Sequence, residues 1–85
     1  TTDIEATVLF FAKARELTGN KEDKIRVPNR LTSTDLLEKI IFNFNLESIR
    51  NQIILAVNEE FVSFDTILNL SEKDKIAVIP PLSGG

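Results

Sequence analysis

The sequence contains neither cysteine nor histidine, and it has no tryptophan, tyrosine or methionine. Without cysteine and histidine the chain has no Ser-His or Cys-His pair that would activate a nucleophile, and it lacks the usual ligands of zinc. Disulfides are excluded too, although small extracellular domains usually depend on them. The composition therefore favours a reducing, cytosolic setting and a protein that does little chemistry with its own side chains.

Glycine, clustered basic charge and long apolar runs are also scarce. The three glycines are Gly19 and the final Gly-Gly pair, so no glycine-rich loop is present to hold a phosphate. The net charge is −3 and the ten lysines and arginines are scattered, which argues against nucleic-acid binding. No apolar run approaches the roughly 18 residues of a membrane span, and no signal-peptide pattern opens the sequence.

The last six residues form a distinct segment that follows an apolar run. Two prolines end a strand here, because each removes a backbone donor and fixes φ. Gly-Gly has no Cβ and can enter a slot that excludes side chains. The final five residues span roughly 17 Å when extended. We therefore predict a folded domain at residues 1–79 and a flexible tail that carries the terminal carboxyl group outward: Pro80, Pro81, Leu82, Ser83, Gly84 and Gly85.

The rest of the chain predicts strands on both sides of one main helix. Alternating apolar residues predict a first strand, with Ala6, Val8 and Phe10 on one face and Leu9 and Phe11 on the other. A short helix at residues 12–18 is predicted to end at the Gly19-Asn20 signal. Further strands are predicted at residues 21–27, 53–57, 61–63 and 75–79, with a loop at residues 65–70.

The main helix is predicted from Thr32 to about Asn45. Thr32 is a favourable N-cap and Asp35 follows three residues later, close to a capping box. An apolar stripe runs along the helix and must face a sheet: Leu36, Leu37, Ile40, Ile41 and Phe44. Because the first and last strands are apolar on both faces, we expect them side by side. This order predicts an α+β fold with a mixed five-stranded sheet packed on one helix.

Three stretches of the sequence resemble the MoaD family, the small sulfur-carrier subunits of molybdopterin synthase. They are residues 8–19 (VLFFAKARELTG), residues 56–65 with AVN and VSFD, and residues 74–85 (DKIAVIPPLSGG). The similarity is greatest to the eukaryotic type, because of residues 50–54 (RNQII) and the PPLSGG ending. The resemblance spans nearly the whole chain and implies a ubiquitin-like β-grasp fold.

The resemblance also implies a chemical role for Gly85. In the family an activating enzyme, resembling MoeB with a rhodanese, adenylates the terminal glycine with ATP, and a sulfur donor converts it to a thiocarboxylate. The tail then enters a MoaE-like large subunit, where sulfur passes to cyclic pyranopterin monophosphate and builds molybdopterin. The implied assembly is a heterotetramer, and the small subunit alone is not catalytic. An α-carboxylate is an anion at pH 7 and a poor electrophile, so activation from outside is chemically reasonable.

A partner-binding face follows from the resemblance together with strand alternation. In the family, positions that match Phe11, Phe61 and Ile79 lie on the large-subunit interface. Alternation places Leu9 with Phe11 on one strand face and Ala77 with Ile79 on another. The predicted partner interface is therefore Leu9, Phe11, Phe61, Ala77 and Ile79.

The sequence departs from the family at the turn before the last strand. Family members commonly have glycine immediately before the aspartate of this turn, where this chain has Lys73. If that position requires a left-handed backbone, a side chain there costs roughly 1–2 kcal/mol. The departure therefore bears on local stability.

Other readings of the Gly-Gly ending are open at this level. A ubiquitin-like modifier would form isopeptide bonds with target lysines, and a sulfur carrier of the thiamine or tRNA-thiolation type would load sulfur for another pathway. A protein-interaction domain with an inert tail is a third possibility. Deletion of Gly85 separates the last reading from the others, because only an interaction domain would survive it.

Overall fold

The computed structural model describes residues 2–80 of the chain. Strands and helices follow one another in the order β1 (Asp3–Phe10), α1 (Ala12–Thr18), β2 (Glu22–Pro28), β3 (Arg30–Thr32), α2 (Ser33–Phe44), a 3₁₀ helix (Glu47–Gln52), β4 (Ile54–Val57), β5 (Glu60–Phe61), β6 (Ile67–Asn69) and β7 (Lys75–Ile79). No helix in this part of the chain is long and apolar enough to cross a membrane.

The main sheet has the strand order β2-β1-β7-β4-β5. The first and last strands lie side by side in parallel, with Val8 opposite Ile76 and Phe10 opposite Val78, while the other pairs are antiparallel. This arrangement confirms the predicted mixed five-stranded sheet and its central pair. Both strands occupy the middle because their apolar side chains on both faces are best covered there.

One face of the sheet packs on helix α2 and forms the core. Ala6, Val8 and Phe10 of β1 are buried there, as the alternation predicts. The rings of Phe10 and Phe44 meet edge to face, with centroids 4.9 Å apart. From the helix side the predicted stripe supplies the buried side chains of Leu36, Ile40 and Ile41. The opposite face of the sheet, to which Leu9 and Ala77 point, is here called the open face.

Helix α2 begins and ends where its capping residues predict. The Oγ1 atom of Thr32 accepts a hydrogen bond from the Asp35 amide at 3.1 Å, which satisfies one of the unpaired donors of the first turn. At the other end Asn45 adopts a left-handed conformation with φ of 57°. Helix α1 ends in the same way, with Gly19 at φ of 74°. The two helix predictions are therefore confirmed.

The structure corrects the sequence prediction at four strands. A second, two-stranded sheet joins β3 to β6, with Leu31 opposite Leu68. We predicted no strand between residue 27 and the main helix, and we predicted a loop at residues 65–70. Strand β5 starts at Glu60 and has only two residues, not three ending at Ser63. Strand β2 continues to Pro28, which pairs with Asp3 at its end. Segments of two or three residues are too short for alternation to reveal them.

The turn before β7 does not require a glycine. Lys73 is not among the described residues with positive φ, so the cost expected for a left-handed side chain does not arise there. Instead, the carboxylate of Asp74 accepts the Ser71 amide at 2.8 Å, and the Asp74 amide donates to the Ser71 carbonyl at 3.1 Å. The Asp74 side chain and a backbone hydrogen bond thus close the turn between Ser71 and Asp74.

Candidate functional site

The register of the main sheet places an apolar row across the open face. Leu9 of β1 lies opposite Ala77 of β7, Ala77 opposite Ala56 of β4, and Ala56 opposite Phe61 of β5. The same face carries Ile79, which lies opposite Ile54 one row further along. Residues directly opposite on neighbouring strands have adjacent side chains. The row therefore forms a continuous apolar surface over four strands.

This surface is hollow in the middle because its central residues are alanines. Ala56 and Ala77 provide the floor, while larger side chains stand at the sides and enclose about 430 Å³. Phe61 is 74% exposed and Phe11 is 46% exposed. We call this depression the open-face hollow; its lining residues are Leu9, Phe11, Ala56, Asn58, Glu59, Phe61, Lys75, Ala77 and Ile79.

All five residues predicted for the partner interface line the open-face hollow. Their convergence has a simple physical cause, since β1 and β7 are adjacent and each turns every second side chain to this face. A contiguous exposed apolar surface is typical of a protein-interaction site. The sequence prediction missed Ala56 and the neighbouring Ile54, although the apolar run at residues 53–57 contains the signal, because both of its faces are apolar.

A hydrogen-bond network holds the β4–β5 hairpin beside the start of β7. Asn58 and Glu59 form a two-residue turn with φ of 52° and 71°, as expected for a tight hairpin. The Asn58 amide nitrogen Nδ2 donates to Asp74 at 2.8 Å, and its Oδ1 accepts the Lys75 amide at 3.0 Å. These bonds fix the hairpin from which Phe61 projects over the hollow.

The end of β7 lies next to the open-face hollow. Phe11 follows the end of β1 and donates its amide to the Val78 carbonyl at 3.2 Å, so the chain leaves β7 close to the Phe11 ring. Pro80, the first residue of the predicted tail, is buried. The other predicted tail residues lie outside the described part of the chain: Pro81, Leu82, Ser83, Gly84 and Gly85.

The principal charge cluster of the described residues lies away from this site. Arg50 donates to Glu47 through Nε at 2.9 Å and through Nη2 at 2.8 Å, and it also contacts Glu38 of helix α2. These hydrogen bonds lower the pKa of Glu47 and raise the pKa of Arg50. Within residues 2–80 no three His, Cys, Asp or Glu side chains group as metal ligands.

The mixed five-stranded sheet with a helix packed on one face is that of a ubiquitin-like β-grasp domain. SAMP1 of Haloferax volcanii has this fold and aligns with a TM-score of 0.75 at 21% identity, covering 95% of this chain and 99% of its own. A structure described as putative molybdopterin converting factor, subunit 1 from Pyrococcus furiosus aligns with a TM-score of 0.71 at 28% identity. That alignment covers 93% of this chain and 99% of the archaeal chain. These likenesses confirm the predicted fold.

The chain belongs to the ThiS family, whose model matches residues 8–85. A molybdopterin synthase sulfur carrier subunit from Drosophila erecta is 46% identical over 84 residues, covering 96% of this chain and 92% of its own. The human protein of the same name is 43% identical over 83 residues, covering 95% of this chain and 94% of its own. The expected similarity to the small sulfur-carrier subunits of molybdopterin synthase is thus confirmed.

Proposed function

We propose that this protein is the sulfur carrier subunit of a molybdopterin synthase and acts in molybdenum cofactor biosynthesis. The observation that carries the proposal is the similarity to relatives of that name, at 46% and 43% identity over nearly the full chain. The open-face hollow supports it, because a carrier needs a surface by which partners hold it. The cysteine-free composition supports a cytosolic setting.

The proposed chemistry takes place at the carboxyl group of Gly85. The carboxylate attacks the α-phosphorus of ATP on a MoeB-like activating enzyme, pyrophosphate leaves, and an acyl-adenylate forms. The outer sulfur of a persulfide on a rhodanese-type donor then attacks the acyl carbon and displaces AMP, which gives an acyl disulfide. A second thiol attacks the donor's sulfur and forms a disulfide with it, and the S–S bond to the chain breaks to release the thiocarboxylate. A thiocarboxylate is a soft, ionised nucleophile, as a thiolate is. The sulfur is finally transferred to cyclic pyranopterin monophosphate.

The proposed place of that transfer is a MoaE-like large subunit. The open-face hollow is the docking surface in this proposal, with Leu9, Phe11, Phe61, Ala77 and Ile79 in contact with the partner. The chain leaves β7 beside Phe11, and the five residues after Pro80 span roughly 17 Å when extended. A body docked through this face therefore has its last residues within reach of a cavity in the same partner. The full assembly in this proposal is a heterotetramer of two small and two large subunits.

The test is intact-mass analysis of the chain after co-expression with its activating enzyme and sulfur donor. We expect a gain of about 16 Da, the exchange of one oxygen for one sulfur, located on Gly85. Incubation with the large subunit and cyclic pyranopterin monophosphate is expected to reverse the gain and to form molybdopterin.

The control is a variant that lacks Gly85. It is expected to keep its affinity for the large subunit but to gain no mass. A ubiquitin-like modifier would instead appear as isopeptide adducts on the lysines of other proteins, and an interaction domain would show no gain of mass. Either result would contradict the proposed function.

A further inference from the structure

A row of two lysines with a threonine between them crosses the open face beside the apolar row. Lys24 of β2 lies opposite Thr7 of β1, and Thr7 lies opposite Lys75 of β7. Neighbouring strands are about 4.8 Å apart, so the two lysine Cα atoms are about 10 Å apart. Both side chains are on the same face as Leu9, since they share the row of Thr7, two residues before it.

The lysine nearer the sheet edge is drawn inward over the face. Its Nζ atom donates to Thr7 Oγ1 at 2.8 Å, and Thr7 is only 7% exposed although it lies on the open face. The ammonium group has three donors, so two remain for other acceptors. Lys75 is held by its backbone, whose amide donates to the Asn58 side chain at 3.0 Å. The ammonium group of Lys24 thus has a defined place, and the backbone from which the Lys75 side chain projects is fixed.

Neither ammonium group has a carboxylate of the described chain within ion-pairing distance. Within residues 2–80, the ion pairs closer than 4.0 Å are those of Arg50 with Glu38 and Glu47, on the helix side of the sheet. The whole chain has a net charge of −3. On the same face the register places Glu22 opposite Leu9 and Glu5 opposite Arg26, in the rows that flank Lys24, and Glu59 lines the hollow with Lys75. Lys24 and Lys75 are thus cations without an ion pair among the described residues, in a row that carboxylates border.

The lysine row lies at the far end of the docking surface from the point where the chain leaves the sheet. Lys75 begins β7 and lines the open-face hollow, whereas Ile79 ends the strand. Four residues of a strand separate the two by about 13 Å. A partner that covers the hollow from the chain exit onward therefore reaches the lysines at its other edge.

We propose that Lys24 and Lys75 bind carboxylate side chains of the large subunit, presented beside the apolar side chain that fills the open-face hollow. This inference rests on the proposed function and names the chemistry of the partner surface. The hollow makes the apolar contact with the large subunit, and the lysine row fixes the rotational orientation of this domain about that contact. That rotation decides whether the end of β7 at Ile79, where the chain leaves the sheet, faces the partner's cavity. The lysines are therefore positioning residues.

Exposed charges at the edge of an interface act mainly on the rate of association and on its salt dependence. The test therefore measures association with the large subunit by stopped-flow fluorescence over a range of NaCl concentrations. For the double variant Lys24→Glu/Lys75→Glu we expect an association rate about tenfold lower at low salt, and a flatter or inverted salt dependence. The charge-preserving Lys24→Arg/Lys75→Arg variant is expected to stay within about twofold of the original rate.

The matched control is Lys39→Glu/Lys73→Glu, which changes the net charge equally at exposed positions outside the hollow. We expect it to alter the rate by no more than about twofold. An equal loss of association rate in this control, or a rate that does not change when the charges of Lys24 and Lys75 are reversed, would overturn the inference. Either result would leave the proposed function standing. Failure of the unmodified chain to bind the large subunit would overturn both. Thermal unfolding of each variant checks that the fold is intact.

Discussion

Two exposed phenylalanines show that the role expected of a side chain depends on the surface on which it lies. Phe61 and Phe42 are 74% and 87% exposed, so each leaves an apolar ring in water and contributes little to the core. Phe61 lies on the rim of the open-face hollow, whereas Phe42 projects from helix α2 on the other side of the sheet. The same side chain is thus present on a surface with a proposed partner and on one without.

We expect Phe61→Ala to weaken binding of the large subunit at least tenfold, about the effect of losing an aromatic hot spot. Its free energy of unfolding is expected to change by less than about 0.5 kcal/mol, because an exposed ring is removed. Isothermal titration calorimetry and urea denaturation measure the two quantities. Phe42→Ala is the matched control, and an equal loss of affinity there would contradict a role for the hollow.

At the scale of secondary structure, long elements with clear end signals follow from the sequence. Helix α2 could be predicted almost to the residue because Thr32 caps it and Asn45 ends it. The pairing of β1 with β7 followed from apolar residues on both of their faces. The small β3–β6 sheet could not be predicted, because three residues carry no period and the pairing joins segments more than thirty residues apart.

The candidate site could be predicted only in part from the sequence. Alternation indicates which residues of a strand share a face, so it found Leu9 with Phe11 and Ala77 with Ile79. It does not give the register between strands, which places Ala56 opposite Phe61 and puts Lys24 and Lys75 on either side of Thr7. Register depends on the turns and on the packing of the whole sheet, and these become visible only in the folded structure.

A hydrogen bond between the side chains of Asn58 and Asp74 helps to hold the β4–β5 hairpin in place. Exchanging the two residues tests this interaction. In Asn58→Asp two carboxylates face each other, and in Asp74→Asn two amide groups can present donors to each other. Each single variant is expected to lose about 1 kcal/mol of unfolding free energy in urea denaturation. In the double variant Asn58→Asp/Asp74→Asn the bond between the two side chains can form in the reverse direction, from position 74 to position 58. The Lys75 and Ser71 amides can still donate to a side-chain oxygen at positions 58 and 74.

We therefore expect the double variant to recover at least half of the stability that the two single variants lose together. Amide hydrogen exchange of the hairpin, followed by NMR, should show the same recovery at Phe61. Simple addition of the two losses in the double variant would mean that the pair does not interact. That result would leave the turn conformation of Asn58 as the main support of the hairpin.

At the scale of the whole molecule, the sheet separates two surfaces of different character. The open face carries the apolar hollow and the lysine row, whereas the side covered by α2 carries the Arg50 cluster. This cluster ties α2 to the 3₁₀ helix, because Glu38 belongs to the first and Glu47 to the second. Its charges are exposed, so water and salt limit what it contributes to stability.

The Arg50 cluster predicts how stability depends on pH. Hydrogen bonds from Arg50 lower the pKa of Glu47 in the folded state, so the folded protein holds this proton less tightly than the unfolded chain. The contribution is present above the unfolded pKa of about 4.3 and is lost as pH falls through the lower folded value. We expect Glu47→Gln to be less stable than the original protein at pH 7, with the difference vanishing in strong acid.

Urea denaturation at several pH values measures this difference. The matched control is Glu16→Gln on helix α1, an exposed glutamate outside the Arg50 cluster. Its stability relative to the original protein is expected to vary less with pH. A gap between Glu47→Gln and the original protein that persists unchanged in strong acid would contradict the assignment.

Strand β7, the last described strand in chain order, joins the β2–β1 pair of the main sheet to the β4–β5 pair. Strand β7 is the only described strand that lies between β1 and β4, so a copy cut short by proteolysis or stalled synthesis before residue 75 cannot bring Leu9 and Ala56 together. Such a copy would lack both the docking surface and the segment that leads to the proposed sulfur-bearing end. Truncated copies would thus be unable to compete with intact ones for the synthase, because the docking surface forms only when β7 is present.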